Sequence, residues 1–310
     1  LPNSLTYLNC QYNSITSLPT LPTLLDTLIC SSSYYLPSLP ALPNSLIYLD
    51  CNNSSLNNLP SLPNSLTYLN CSFTSLNNLP ALPNSLIYLN CSADYSLHIL
   101  PALPNSLQLL YCRDGNFTSG LPPLPNSLQT LVCYHSQLTA LPSIPNSLIY
   151  LDCNTNYLTS LPSLGSSLQT LICSSNSITT LPALPNSVTF FDCSSNSLIS
   201  LPLLGSSLQT FACSSNSLTT LPALPNSVTY LDCSSNSLTS LPTLPNSLIR
   251  LYCSSNSLTS LPNLPDSLSC LNCGNNSLTS LPFLPNSLHE LYCQNNYISC
   301  FPTFPSSIQP

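Results

Sequence analysis

LPALPNSVTYLDCSSNSLTS at Leu221–Ser240 and LPTLPNSLIRLYCSSNSLTS at Leu241–Ser260 are two copies of one 20-residue unit. The unit recurs on both sides of this pair along all 310 residues, and each copy has one cysteine at the same position. Successive marker cysteines are 20 residues apart, except at three steps of 21. Units this short must stack on their neighbours to bury a core. We therefore expect a single solenoid domain over residues 1–310, uncapped at both ends, with room for further repeats on either side. These column cysteines are Cys10, Cys30, Cys51, Cys71, Cys91, Cys112, Cys133, Cys153, Cys173, Cys193, Cys213, Cys233, Cys253, Cys273 and Cys293.

Each unit contains one short strand and one proline-rich segment. In the stretch Tyr230–Cys233, strand alternation turns Leu231 and Cys233 inward and Tyr230 and Asp232 outward. Proline has a fixed φ and no backbone N–H, so the LPxLP segment should be extended. The sequence thus predicts a parallel β-sheet on one side and extended, polyproline-II-like segments, rather than helices, on the outer side.

The unit reads L-x-x-L-x-C-x-x-N-x-L-x-x-L-P-x-L-P-x-S, which resembles the leucine-rich repeat over the whole chain. Its period and its LPxLP segment resemble the short repeat class of secreted bacterial effectors, and the LPNSLxxLxC wording is similar to amoebal and giant-virus repeats. The resemblance implies a solenoid that binds partners. One departure is the charged fraction of only 4%, because the bacterial effectors carry many charged residues.

An asparagine follows each column cysteine by three residues in the second half of the chain. A buried amide must be satisfied, and the resemblance implies that this asparagine ladder bonds the backbones of neighbouring turns. In the first half the ladder is interrupted, so we expect that half to be less regular. The ladder comprises Asn156, Asn176, Asn196, Asn216, Asn236, Asn256, Asn276 and Asn296, and its interruptions are Ser33, Ser54, Thr74, Asp94, Gly115 and Ser136.

The column cysteines have three possible roles. A tetrahedral metal site needs ligands that converge from several directions, which a single-file column does not offer. Neighbours ~4.8 Å apart are within the Cα range of a disulfide, but each cysteine has equivalent neighbours on both sides. We therefore favour reduced packing residues, followed by some disulfides and then metal. The CxxC at Cys270–Cys273 places its two thiols on opposite sides of a strand, Cys270 outward and Cys273 inward.

Composition and motifs exclude several classes of function. Two Arg, no Lys and a net charge of −7 argue against a nucleic-acid partner, and no apolar run approaches the ~18 residues of a membrane span. The histidines His98, His135 and His289 lie in separate repeats without a partner at a repeated offset. We therefore expect no enzyme, cofactor or metal. The absence of lysine, a ubiquitin acceptor and trypsin site, favours an extracellular or host-exposed location.

The outward strand positions form the candidate binding face. Tyrosine beside Asp or Asn is typical of interfaces, with Tyr48, Tyr68 and Tyr88 as the densest patch. The alternative is that tyrosine simply suits strands and packs on its neighbours. The candidate residues are Tyr48, Asp50, Tyr68, Asn70, Tyr88, Asn90, Tyr150, Asp152, Phe190, Asp192, Tyr230 and Asp232.

The first hypothesis for function is a binding scaffold that recognises a protein or another ligand. The alternative is a structural subunit that assembles end to end, because LPNSL at Leu1–Leu5 and FPSSI at Phe304–Ile308 share one phase of the repeat. A minor alternative is ice binding through a grid of hydroxyls. The grid pairs Ser177 with Thr179, Ser217 with Thr219, Ser237 with Thr239, Ser257 with Thr259, and Ser277 with Thr279.

Overall fold

The computed structural model describes residues 1–302 and forms two compact units, Leu1–Tyr157 and Leu158–Pro310. Within residues 1–302 every regular element is a three-residue β-strand, and no helix is present. The expectation of one continuous domain over residues 1–310 stays a prediction. Phe304 and Ile308, used above to compare the chain ends, lie outside the described residues.

The strands of each unit pair in parallel with their neighbours in chain order. Corresponding residues of successive repeats lie opposite one another, as Leu49 does with Leu69. The first unit contains β1 Tyr7–Asn9, β2 Thr27–Ile29, β3 Tyr48–Asp50, β4 Tyr68–Asn70, β5 Tyr88–Asn90, β6 Leu109–Tyr111, β7 Thr130–Val132 and β8 Tyr150–Asp152. The second contains β9 Thr170–Ile172, β10 Phe190–Asp192, β11 Thr210–Ala212, β12 Tyr230–Asp232, β13 Arg250–Tyr252, β14 Cys270–Asn272 and β15 Glu290–Tyr292.

The predicted alternation is confirmed, and it places the core. Leu231, at the centre of β12, and Cys233, just after it, are both fully buried, whereas Tyr230 and Asp232 are partly exposed. Val228 and Leu238 complete the interior of this repeat and are also fully buried. In each unit, the first and third residues of the strands therefore form an outward surface, and both surfaces are called the sheet face below.

The outer side consists of extended segments and tight turns, as predicted. In each repeat a Pro-Asn-Ser-Leu type of turn is closed by a backbone bond, for example from Leu248 N to the Pro245 carbonyl at 3.1 Å. The serine of the turn also reaches the preceding repeat, where Ser247 Oγ donates to the Val228 carbonyl at 2.7 Å. Because prolines supply no donors, this serine provides a link between repeats on the proline-rich side. The repeat pattern alone does not indicate this role of the serine.

The asparagine ladder joins neighbouring repeats, as predicted. Asn216 Nδ2 donates to the carbonyl of Cys213 at 3.2 Å and to that of Cys193, one repeat earlier, at 3.0 Å. Its Oδ1 accepts the Leu198 N–H at 3.0 Å. One amide thus satisfies backbone groups that would otherwise be buried without partners.

Between Ser33 and Ser136 the ladder positions of the first unit carry residues other than asparagine, which make fewer bonds to neighbouring repeats. Within the described residues 1–302, Ser54 Oγ bonds only the carbonyl of Cys51, in its own repeat, at 2.7 Å. At Gly115 a Cβ atom would lie 2.4 Å from Cε2 of Phe117, a fully buried ring. The Phe117 ring therefore occupies the space that a ladder side chain takes elsewhere. The predicted irregularity of this half is thus seen as missing ladder bonds.

The column cysteines are packing residues. Within residues 1–302 all 17 cysteines are free thiols, and most of the column is fully buried. Burial raises the pKa of these thiols, that of Cys112 to about 12, so they are protonated at neutral pH. Protonated buried thiols react slowly and behave as small apolar side chains.

We expect all thiols of the chain to be reduced, because the fold packs them without pairing. Denaturation without a reductant should expose nearly 17 groups to a thiol reagent, whereas the native protein should react quickly mainly at exposed Cys300. Spectrophotometric titration in and without denaturant gives both counts. A much lower count after denaturation would mean that disulfides form in this column.

Asp94 replaces the ladder amide with a buried acid. Its Oδ1 accepts bonds from Thr74 N at 2.6 Å and Thr74 Oγ1 at 2.8 Å. Its Oδ2 is buried and has no hydrogen-bond partner within residues 1–302. Burial raises the pKa of this carboxyl to about 7, while the bonds from Thr74 oppose the rise.

The Asp94 carboxyl makes the stability of the first unit depend on pH. Its pKa is about 7 in the fold and ~3.9 in an unfolded chain, so the folded state holds the proton more tightly. Its contribution to stability is therefore full below about pH 4, falls as the pH rises to about 7, and stays low above that. Asp94→Asn keeps the Oδ1 acceptor and removes the ionisable group.

We expect the stabilisation by Asp94→Asn, relative to the wild type, to grow between pH 4 and 7. The difference should grow by on the order of 4 kcal/mol from pH 4 to pH 8, since the folded and unfolded pKa values differ by about three units and one unit corresponds to ~1.4 kcal/mol. Denaturant unfolding at several pH values measures it, with Asp266→Asn at an exposed turn as the control. A difference that is constant across this range would contradict the assignment.

Candidate binding surface on the sheet face

The structure places all of the predicted binding residues on the sheet face, each at the first or third position of its strand. Eight lie in the first unit, in β3, β4, β5 and β8, and four lie in the second, in β10 and β12. All of these residues are at least partly exposed except Asp152, which is buried. Their role in binding stays a prediction.

Tyr48, Tyr68 and Tyr88, together called the tyrosine stack, form a continuous column of rings. The Tyr48 and Tyr68 centroids are 4.1 Å apart at an interplanar angle of 6°, and those of Tyr68 and Tyr88 are 4.2 Å apart at 8°. Tyr111 continues the column with a tilted ring, 5.5 Å from Tyr88. Both faces of the Tyr68 ring are therefore covered, and a partner would meet the edges and hydroxyls of the stack.

The hydroxyls of Tyr68 and Tyr88 remain neutral. Burial raises the pKa of Tyr68, and its hydrogen bond with Tyr48 raises it further. Burial likewise raises the pKa of Tyr88. Neutral phenols both donate and accept hydrogen bonds, so this row offers both functions to a ligand.

A shallow depression of about 320 Å³ lies beside the stack, between β6 and β8. It is lined by Tyr111, Thr130, Val132 and Tyr150. Thr130 and Val132 are smaller than the tyrosines around them, which creates the depression. It is large enough for one side chain of a bound protein.

The Asp and Asn residues of the sheet face also have a structural role, which the sequence analysis missed. Asn70 Oδ1 accepts the backbone N–H of Ser72 at 3.3 Å, and Asp232 Oδ1 accepts that of Ser234 at 3.0 Å. This is the Asx-turn geometry that short acidic and amide side chains favour. The signal was present, since an Asp or Asn directly precedes many of the column cysteines.

The structure corrects the prediction for His135, which does have a partner. His135 Nδ1 lies 2.9 Å from Asp114 Oδ1, and Arg113 Nη1 lies 3.0 Å from Asp114 Oδ2. Arg113 also donates to Tyr134 Oη at 2.7 Å. Asp114 and His135 each stand two residues after a column cysteine, so the repeat itself carried the signal. Among the other histidines, His98 Nδ1 lies 3.3 Å from the Asn116 carbonyl.

Cys270 lies on the sheet face, as predicted, but it is buried rather than open to solvent. Its Sγ lies 3.7 Å from Tyr252 Oη and 3.6 Å from Glu290 Oε2, and only 4% of the residue is exposed. Neighbours on β13 and β15 therefore cover it. The hydrogen bond with Cys270, followed by burial, raises the pKa of Tyr252 to about 12.

The hydroxyl grid has the predicted geometry. Ser237 and Thr239 are exposed, and Leu238 between them is fully buried. The other pairs follow this pattern, with Ser277 half-buried.

Within residues 1–302, no group of three or more His, Cys, Asp or Glu side chains could hold a metal ion. No helix long and apolar enough to cross a membrane occurs in the same range.

Comparison with known proteins assigns the chain to a family. No protein-family model matches it, and no curated protein sequence matches it either. Among solved structures, YopM from Yersinia enterocolitica WA-314 superimposes with a TM-score of 0.87 at 36% identity, over 98% of this chain and 72% of that one. YopM from Yersinia pestis, described as a leucine-rich effector protein, gives 0.82 at 35% identity, over 98% and 87% of the chains.

A third similar structure shares the cysteine column. The functional domain of InlJ from Listeria monocytogenes, described as including a cysteine ladder, has a TM-score of 0.62 at 27% identity, over 96% of this chain and 64% of that one. The repeat period, the parallel strands and the identity with YopM agree with one another. The chain therefore belongs to the leucine-rich repeat family that includes YopM.

Proposed function

We propose that this protein is a non-enzymatic binding scaffold that recognises a protein partner through the sheet face, centred on the tyrosine stack. The observation that carries the proposal is the contact of the rings at 4.1 and 4.2 Å. Rings already ordered by each other lose little side-chain entropy when a partner binds. A rigid aromatic row is therefore well suited to be the energetic centre of an interface.

Charge and shape favour a particular kind of partner. The chain has a net charge of −7, so complementarity favours a neutral or basic surface. The depression between Tyr111 and Tyr150 can accept one side chain beside the stack. Membership in the leucine-rich repeat family, which includes an effector protein, supports a scaffold role.

Two other functions stay predictions from the sequence. End-to-end assembly depends on a comparison that includes Phe304 and Ile308, which lie outside the described residues. Ice binding depends on the exposed hydroxyl grid of the second unit, whose geometry is present. The tyrosine stack favours the binding scaffold over both.

The proposed site can be tested with peptides selected against the full chain from a displayed random library. The double variant Tyr68→Thr with Tyr88→Thr should lower the affinity for the selected peptides about tenfold or more, as loss of hot-spot residues does. Threonine is the native residue at the same strand position in β2, β7 and β11, so the double variant should fold. Affinities are measured by surface plasmon resonance, and folding by circular dichroism.

Tyr7→Thr is the matched control, because Tyr7 is on the sheet face but outside the stack. Its affinities should match those of the wild type. Unchanged binding by the double variant would place the site elsewhere and overturn the proposal, as would a selection that yields no peptides.

A further inference from the structure

On the sheet face of the second unit, two small residues of β11 lie between larger residues of β10 and β12. Along the first strand positions of β10, β11 and β12, Thr210 lies between Phe190 and Tyr230. Along the third positions, Ala212 lies between Asp192 and Asp232. These six residues, called the slot, therefore have aromatic walls at one end, acidic walls at the other and a floor of small side chains.

The slot is wide enough for one inserted side chain. Neighbouring strands lie ~4.8 Å apart, so the two walls are about 9.6 Å apart. A flat group that contacts each wall at ~3.5–4.0 Å requires the walls to be roughly 7–8 Å apart, so the slot is wide enough to admit one such group. In the tyrosine stack Tyr68 occupies the corresponding place and contacts both of its neighbours. In the slot the corresponding residue is Thr210, which is too short to fill that space.

The two carboxylates lack a counter-ion. Asp192 Oδ1 accepts the Ser194 N–H at 2.9 Å, and Asp232 Oδ1 accepts the Ser234 N–H at 3.0 Å. Neither carboxylate forms an ion pair in the part of the chain that the structure describes. Arg250 lies on the neighbouring strand β13, opposite Tyr230, and forms an ion pair with neither carboxylate. The chain holds only two Arg and no Lys, which leaves these carboxylates open to a cation supplied by a partner.

We propose that the slot binds an arginine side chain of a partner protein. The methylene stem lies over Thr210 between Phe190 and Tyr230, and the guanidinium lies over Ala212 between Asp192 and Asp232. The floor residues are two positions apart on β11, about 6.6 Å, which matches the separation of the apolar stem and the charged head of arginine. The proposal extends the sheet-face scaffold of the previous section to a second set of residues.

Arginine fits this arrangement better than lysine. Its planar head has five N–H donors pointing in several directions, so it can bond two carboxylates on opposite sides at once. An ammonium group is a compact point charge that reaches only one of two carboxylates about 9.6 Å apart. The aromatic walls add apolar contact with the methylene stem, which both arginine and lysine have.

Titration of the isotope-labelled full chain with blocked tripeptides tests the slot by NMR. The peptides are N-acetyl-Gly-Xaa-Gly-amides, in which Xaa is arginine, lysine or citrulline, the neutral analogue of arginine. We expect the arginine peptide to shift the backbone signals of Thr210 and Ala212, the lysine peptide to bind more weakly, and the citrulline peptide not to bind. Added salt should lower the affinity of the arginine peptide, because it screens the attraction between the guanidinium and the carboxylates.

Two variants test the walls and the floor. Asp192→Asn with Asp232→Asn keeps the Oδ1 acceptors, as native Asn70 does, and should reduce affinity at least about tenfold, the loss expected when ~1.4 kcal/mol is removed. Thr210→Tyr should fill the slot as Tyr68 fills the stack, and should abolish binding. The charge control is Asp266→Asn, in the exposed turn before β14, which should leave affinity unchanged.

Three results would overturn the proposal: equal binding of the citrulline and arginine peptides, unchanged affinity of Thr210→Tyr, or no saturable binding at the highest soluble peptide concentration. The slot and the tyrosine stack share no residue. Failure of the stack variants therefore leaves this test intact, and failure here leaves the stack as the binding centre.

Discussion

The hydrogen bonds around a column cysteine such as Cys213 join its repeat to the next one, and the rest of the structure depends on them. Cys213 donates its N–H to the Asp232 carbonyl of the next strand at 2.8 Å. Its own carbonyl accepts from Asn216 at 3.2 Å and from Asn236, one repeat later, at 3.0 Å. Strand pairing and the ladder thus meet at one residue whose side chain is fully buried. A small side chain that needs no hydrogen bond suits this crowded position, which explains the cysteine column physically.

This arrangement separates stability from recognition. The inward side chains, the ladder amides and the turn serines hold the repeats together, so most outward positions are free to vary. Tyrosine in three successive repeats gives a filled stack, whereas Thr210 between Phe190 and Tyr230 gives an open slot. The same strand position can therefore produce either a ridge or a recess on the sheet face.

The sequence predicted the strands, which of their residues point inward and outward, and the ladder, because all three follow from the strict repeat period. It did not predict contacts between side chains of neighbouring repeats. His135 and Asp114 hold the same position in successive repeats, so their pairing could have been found by reading the sequence in columns. The burial of Cys270 could not, because it depends on how Tyr252 and Glu290 lean over it. The parallel orientation of the tyrosine rings likewise depends on rotamers that the repeat pattern does not specify.

Native-state hydrogen exchange tests the central role of the ladder most directly. The N–H groups of Leu198, Leu218 and Leu238 each donate to a ladder Oδ1 at 2.9 to 3.0 Å. Leu56 and Leu76 hold the corresponding positions in the first unit, and within residues 1–302 no acceptor bonds their N–H groups. The ladder predicts markedly slower exchange for the first three than for Leu56 and Leu76. Equal rates in the two sets, or slower exchange at Leu56 and Leu76, would contradict it.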